Sequence, residues 1–202
     1  MENNQRIVGI YLAAGSSRRM GRNKLTLPLG NSILGIHALH TALHTGINHI
    51  IIITSEKSEL QWSKYLHNKL SVVTCEESKK GMSFSLKRGF SEAQKMNADG
   101  VMILLADQPF IQASMLNELI DTFSNEPVEY VASSYNNIIR PPLLIGKSIF
   151  PLVDQLSGDK GIKQVLMKHL QIKGKTIPFE DEMLFIDIDT REEYREMNDK
   201  LT

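Results

Sequence analysis

Residues 7–13, 50–54 and 101–106 are apolar almost without interruption, and each run has the length of a strand rather than a helix. Unbroken runs of this kind predict strands buried on both faces. Between them the apolar spacing changes to three and four. Ile33, Ile36, Leu39 and Leu43 follow Ser32 as an N-cap and precede Gly46 as a stop, a second helix runs from the Gly81 segment to about Met96, and Leu116, Leu119, Ile120 and Phe123 mark a third. A short polar helix over 58–66 and a strand over 70–74 fill the remaining interval. This alternation predicts a three-layer α/β/α fold with a mostly parallel sheet.

The pattern breaks at 128–147, where short strands surround Asn136 and Asn137 as a turn and Arg140-Pro141-Pro142 follows. The break predicts an antiparallel insertion standing over one end of the sheet. Beyond it come a helix over 148–156, a loop over 157–161, a further helix, strands over 175–179 and 184–188, and a charged terminal helix. A chain of 202 residues without a Pro-, Gly- or Ser-rich linker predicts one domain spanning 1–202.

Charge alters the picture through its distribution. Lys plus Arg and Asp plus Glu both number 23, so the net charge is zero and offers no general attraction to nucleic acid or to an acidic membrane. Residues 16–24 nevertheless carry four cations and no acid, whereas 180–200 carry nine acids against three cations. The one cysteine, Cys75, cannot form an internal disulfide or a zinc site by itself. No apolar run has membrane-spanning length, and Glu2 precedes only a short apolar stretch, so a cytoplasmic location is expected.

Ligands of open parallel sheets bind beyond the carboxyl ends of the strands, and three features fall at such ends. Residues 12–24, LAAGSSRRMGRNK, combine small side chains with Arg18, Arg19, Arg22 and Lys24. Small residues admit a phosphate to backbone N–H groups and the cations neutralise it. The spacing fits neither the Walker loop nor the dinucleotide fingerprint, and a plain strand-to-helix turn with solvated arginines is the competing reading. Asp107 follows the third apolar run, either as a helix N-cap or as a ligand for Mg2+. Asp187 and Asp189 are spaced to share one strand face, and either supplies the second carboxylate Mg2+ would need. His37, His40 and His44 imitate metal-ligand spacing but flank the apolar stripe of one helix. Cys75 reads as a small buried residue and Trp62 as the apolar face of a short helix.

Residues 12–24, with the following LTLPLG and the segments GMSFSL (81–86), LADQP (105–109), GDKG (158–161) and DIDT (187–190), resemble the molybdenum cofactor cytidylyltransferases, including members serving purine catabolism. The resemblance runs in order from about residue 6 to 195. It implies a glycosyltransferase-A-like fold, the nucleotide-diphospho-sugar transferase type. It also implies Mg2+-dependent transfer of CMP from CTP to molybdopterin cofactor, with pyrophosphate released, in the service of a molybdenum hydroxylase. Ala14 resembles the cytidylyl branch, since guanylyl relatives usually carry LAGG.

Carried over residue by residue, Leu12, Ala13, Ala14, Gly15, Gly81 and Ser85 would surround the nucleotide. Arg19 and Lys24 would hold its phosphates, and Asp107 would bind the metal with Asp189, or Asp187 in reserve. The sequence departs from the family pattern at Arg140, at Lys163 and at Arg191, which replaces a proline common after DIDT. Arg140 and Lys163, with Lys160, are read as acceptor-binding or as solvated charges. Two alternatives stand beside this reading: nucleotidyl transfer to a sugar or polyol phosphate, and a non-catalytic cofactor-insertion chaperone.

Overall fold

The computed structural model describes residues 5–15, 17, 20–21, 23–56, 58, 60–65 and 67–201. Along the chain run β1 (Ile7–Ala13), a hairpin of β2 (Pro28–Leu29) and β3 (Ser32–Ile33), α1 (Leu34–Leu43), β4 (His49–Thr54), β5 (Leu70–Thr74), α2 (Met82–Lys95), β6 (Gly100–Leu105), α3 (Ala113–Asn125), β7 (Tyr130–Tyr135), β8 (Ile138–Gly146), α4 (Lys163–Lys168), β9 (Gly174–Pro178) and α5 (Arg191–Leu201).

Alternate side chains of the central strands feed two separate cores, as the unbroken apolar runs require. Ile7 and Tyr11 of β1, Ile50 and Ile52 of β4, and Met102 and Leu104 of β6 pack with Leu39 of α1, Leu119 of α3 and Met197 of α5. Val8 and Ile10, Ile51 and Ile53, and Val101 and Ile103 pack with Phe90 of α2, Phe150 and Val165 of α4. The sheet is therefore the middle of three layers. Gly89 lets α2 approach β1, because a Cβ there would lie 2.7 Å from Ile10.

Seven strands form the main sheet in the order β5-β4-β1-β6-β8-β7-β9. β5, β4, β1 and β6 are mutually parallel, and β8 enters antiparallel to β6. From β1 the chain builds outward through β4 to β5, then returns to place β6 on the other side of β1. The order thus reverses between the carboxyl ends of β1 and β6, where the crevice of such sheets opens.

Five sequence expectations change in three dimensions. The segment over 128–147 is an antiparallel hairpin, turned by Asn136 and Asn137 at φ +49° and +61°, but it lies inside the main sheet rather than over its end. Pro141 and Pro142 have no ladder N–H, and the strand pair bulges opposite them. Ser133 Oγ lies 2.7 Å from the Arg140 carbonyl and 2.9 Å from that of Pro142, and donates there instead.

Residues 184–188 do not form a strand. A 3-10 turn over Glu182–Phe185 is followed by extended chain, which meets the loop after β6 through the Ile188 amide and forms no ladder with a strand among the described residues. Ser32 does not cap α1, whose N-cap is Ile33; the Leu34 amide donates to the Leu27 carbonyl at 2.9 Å, so backbone satisfies that first amide. The helix expected over 148–156 is 3-10 over Lys147–Gln155, with Pro151 inside it. The polar helix over 58–66 contracts to a 3-10 turn at Trp62–Tyr65, and its predicted end, Leu66, lies outside the described residues. Trp62 is buried against Tyr11, with ring centroids 6.2 Å apart, and Cys75 is buried.

Candidate active site

The sheet reversal places the end of β1 beside the end of β6: the Ala106 amide donates to the Leu12 carbonyl at 3.1 Å. From Leu12, Ala13, Ala14 and Gly15 the chain enters the cation-rich loop. A Cβ on Gly15 would meet no atom of the described residues within 4 Å, so none of them fills the space before this peptide. Ser17 and Gly21 adopt left-handed conformations, at φ +46° and +70°, and the Met20 amide donates to the Ser17 carbonyl at 3.0 Å. Arg18, Arg19 and Arg22 lie outside the described residues.

The loop ends in a 3-10 turn over Lys24–Thr26, capped by Asn23, whose Oδ1 accepts from the Leu25 amide. This turn presses on the start of α1, where a Cβ on Gly35 would lie 2.8 Å from Leu25 Cβ. Close packing at Gly35 thereby fixes where Lys24 emerges. Its Nζ donates to Asp107 Oδ2 and to Asp189 Oδ1, both at 2.6 Å. The lysine side chain is 7% exposed and the two aspartates 26% and 32%. Burial alone would lower the lysine pKa, but the attraction and hydrogen bonds of Asp107 and Asp189 outweigh it and raise the pKa above the ordinary value.

Asp107 is no helix cap, since α3 begins at Ala113 behind Gln112. Its backbone carbonyl accepts from the Ile188 amide at 3.0 Å, which pins the DIDT segment to the end of β6. Ile188 is buried, and the residues on either side of it, Asp187 and Asp189, turn toward the site. Thr190 and Glu193 then cap α5 reciprocally: Glu193 Oε2 accepts from the amides of Asp189 and Thr190 at 2.8 Å, and the Glu193 amide donates to Thr190 Oγ1 at 3.2 Å. Burial works against the Glu193 carboxylate, yet those backbone donors hold its pKa below the ordinary value. The T-x-x-E signature of this box is present in the sequence, and it orients Asp189.

Asp187 has a different environment. Burial first, then the charge of Asp107, push its pKa up to about 6, partly offset by a hydrogen bond from Gln108. Its Oδ1 is buried without a partner among the described residues, as is Oε1 of Gln108, a residue 1% exposed that sequence reasoning did not single out. A carboxyl whose folded pKa exceeds its unfolded value stabilises relatively below about pH 4, and that contribution is lost as pH rises to about 6. In EDTA, Asp187→Asn is therefore expected to raise unfolding free energy at pH 7.5 by about 2 kcal/mol and to flatten its fall between pH 4 and 6. Urea denaturation at several pH values measures both; an unchanged slope contradicts the assignment.

Among the described residues no group of three or more His, Cys, Asp and Glu is arranged as a ready-made metal cage. His37 instead bonds the Leu29 carbonyl and His44 the His40 carbonyl. Mg2+ does not require a cage, because it takes one or two carboxylates and completes its shell with phosphate oxygens and water. Asp107 and the unpartnered oxygen of Asp187 suit that requirement.

The other predicted residues occupy the surroundings. Gly81, at φ +129°, leads into α2, and the Ser83 amide donates to the Gly158 carbonyl at 3.0 Å, joining the GMSFSL and GDKG segments. Ser85 is buried in the first turns of α2. The antiparallel register of β6 and β8 brings the start of β8, with Arg140, to the same end of the sheet as Asp107, and Arg140 Nε is buried without a partner among the described residues. Lys163 opens α4.

Residues 9–172 match the MobA-like NTP transferase domain. The chain belongs to this family. This MobA-like transferase is 35% identical over 195 residues to the purine catabolism protein PucB of Bacillus subtilis (strain 168), covering 93% of the chain and 94% of PucB. It is 25% identical over 196 residues to nicotine blue oxidoreductase of Paenarthrobacter nicotinovorans, with the same coverage of 93% and 94%. Its fold is similar to that of Rv0371c from Mycobacterium tuberculosis H37Rv, with a TM-score of 0.81, 22% identity, and coverage of 96% and 98%. The nucleotide-diphospho-sugar transferase fold expected from the sequence is thus the fold observed, and the enzyme is a nucleotidyltransferase.

Proposed function

We propose that this MobA-like transferase moves CMP from CTP to the phosphate of molybdopterin cofactor, yielding the cytosine dinucleotide form and pyrophosphate. The observation that carries the reading is the Lys24 ammonium gripped by Asp107 and Asp189 at the sheet reversal, beside the Gly15 peptide. An acceptor phosphate oxygen attacks the α-phosphorus, its P–O bond forms, and the bond to the β-phosphate breaks. The acceptor is already anionic, so no strong general base is required, and alignment with charge neutralisation suffices.

Backbone groups of residues 12–15 would receive the nucleotide, with Gly81 and Ser85 on the base and ribose side. Lys24 would turn its charge from the two aspartates to the triphosphate, assisted by Arg19. Asp107 would hold Mg2+ together with Asp187, whose Oδ1 has no hydrogen-bond partner among the described residues, or with Asp189 once Lys24 has turned to the triphosphate. Bound there, Mg2+ would supply charge neutralisation at the phosphate oxygens. A structure of Rv0371c complexed with manganese accords with a divalent ion in this fold. Arg140 and Lys163 would receive the acceptor phosphate, with Arg140 Nε a ready donor. The likeness to PucB supports a molybdenum hydroxylase of purine breakdown as the client, reached by transient contact in the cytoplasm.

The test is pyrophosphate release from each NTP with Mg2+, with and without molybdopterin cofactor. Release only with CTP and the pterin is expected. Release with another NTP, or with a sugar or polyol phosphate such as methylerythritol phosphate, overturns the substrate assignment. No release with any acceptor points to a cofactor-insertion chaperone. Lys24→Ala is expected to lower kcat/KM for the NTP about 10- to 100-fold, through weaker triphosphate binding and a slower chemical step. Unchanged kinetics would make Lys24 a structural residue only.

A further inference from the structure

We infer that Arg191 is a positioning residue, and that the first turn of α5 sets the shape of the loop after β1. Arg191 lies 171 residues from Met20, yet its Nε donates to the Met20 carbonyl at 3.2 Å. Its guanidinium also covers Gly21, where a Cβ would lie 3.4 Å from Nη2. The loop needs an external tie. Ser17 and Gly21 both hold left-handed backbone, which local sequence stabilises poorly at Ser17.

The Met20 side chain is buried. An open pocket of about 320 Å³ beside it is lined by Met20, Leu27, Arg191, Tyr194 and Arg195. Polar contacts run from this end of α5 to the loop backbone and to Lys24. Arg191 holds Met20, Asp189 holds Lys24, and the Tyr194 hydroxyl donates to the Pro28 carbonyl at 2.5 Å. The tie at Met20 reaches Lys24 through Ser17, whose carbonyl accepts from the Met20 amide and whose hydroxyl accepts from the Lys24 amide at 3.2 Å. Arg191 in the first turn of α5 and Asp189 just before that helix thus hold the loop at its middle and at its end. The kinetic part of this inference rests on residues 12–24 being the nucleotide loop; the tie itself does not.

Three proteins test it: wild type, Arg191→Ala and Arg191→Lys. Hydrogen exchange of residues 14–24 is measured without nucleotide, beside KM and kcat for the NTP that is turned over. Arg191→Ala is expected to speed loop exchange and raise KM, each about fivefold, with kcat within twofold of wild type. Arg191→Lys, which keeps a donor, should recover most of both. Unchanged loop exchange in Arg191→Ala overturns the inference, as does an equal increase across β1 and β6, which would mean general loosening. Should Lys24→Ala bind NTP normally, the nucleotide-loop reading fails while the exchange result still decides the tie.

Discussion

Asp107→Ala is expected to lower kcat for nucleotidyl transfer by about 10²- to 10³-fold while leaving the fold intact. The loss is large because the carboxylate has two roles in the proposed reaction. It holds Lys24, and it anchors Mg2+ against the phosphate oxygens where charge shifts as pyrophosphate departs. The fold survives because the structural connection at this position is made by backbone: the Asp107 carbonyl accepts from the Ile188 amide whatever the side chain. Lys24 also keeps Asp189 as a partner and so stays charged. Pyrophosphate release at saturating Mg2+, with a thermal melt as control, checks both halves. Turnover within tenfold of wild type would remove Asp107 from the chemistry.

Gly81→Ala is expected to damage stability and activity together. A Cβ here would lie 2.3 Å from both the carbonyl carbon and oxygen of Gly158, a backbone contact that no rotamer change can relieve. At φ +129° the residue also occupies backbone space that L side chains rarely enter. Relief requires the 157–161 loop to withdraw, which breaks the bond from the Ser83 amide to Gly158 and frees the start of α2. Strain and overpacking of this kind cost about 3 kcal/mol, or roughly 6–12 °C in melting temperature for a chain of this size. The displaced GDKG segment should carry activity down with it. An unaltered melting temperature would mean that the two loops are not held in contact in solution.

The parts legible in the sequence are those set by neighbours a few residues apart. Unbroken apolar runs over 7–13, 50–54 and 101–106 announced β1, β4 and β6, because a strand covered on both faces has no reason to alternate. Asn136 and Asn137 announced their turn because both tolerate left-handed backbone. The strand expected over 184–188 failed for a related reason: an extended, alternating segment looks the same whether or not a neighbouring strand is free to pair with it. Alternation still turned Asp187 and Asp189 away from buried Ile188. The helix over 148–156 tightened to 3-10 around Pro151, a breaker visible in the sequence but outweighed there by the apolar spacing.

The sequence by itself thus determined the layered α/β fold, the small-residue loop after β1, and a short set of candidates that contains Lys24, Asp107, Asp187 and Asp189. Only the tertiary structure decided how they pair. Lys24 meets Asp107 across 83 residues and Asp189 across 165, while Asp187 is left with a buried oxygen and a raised pKa. It likewise decided that Gly81 abuts Gly158 and that Arg191 reaches Met20. Periodicity and turn chemistry act within a few residues and can be read locally. Which distant side chains share a crevice follows from the strand order, and that order is set by the packing of the whole chain.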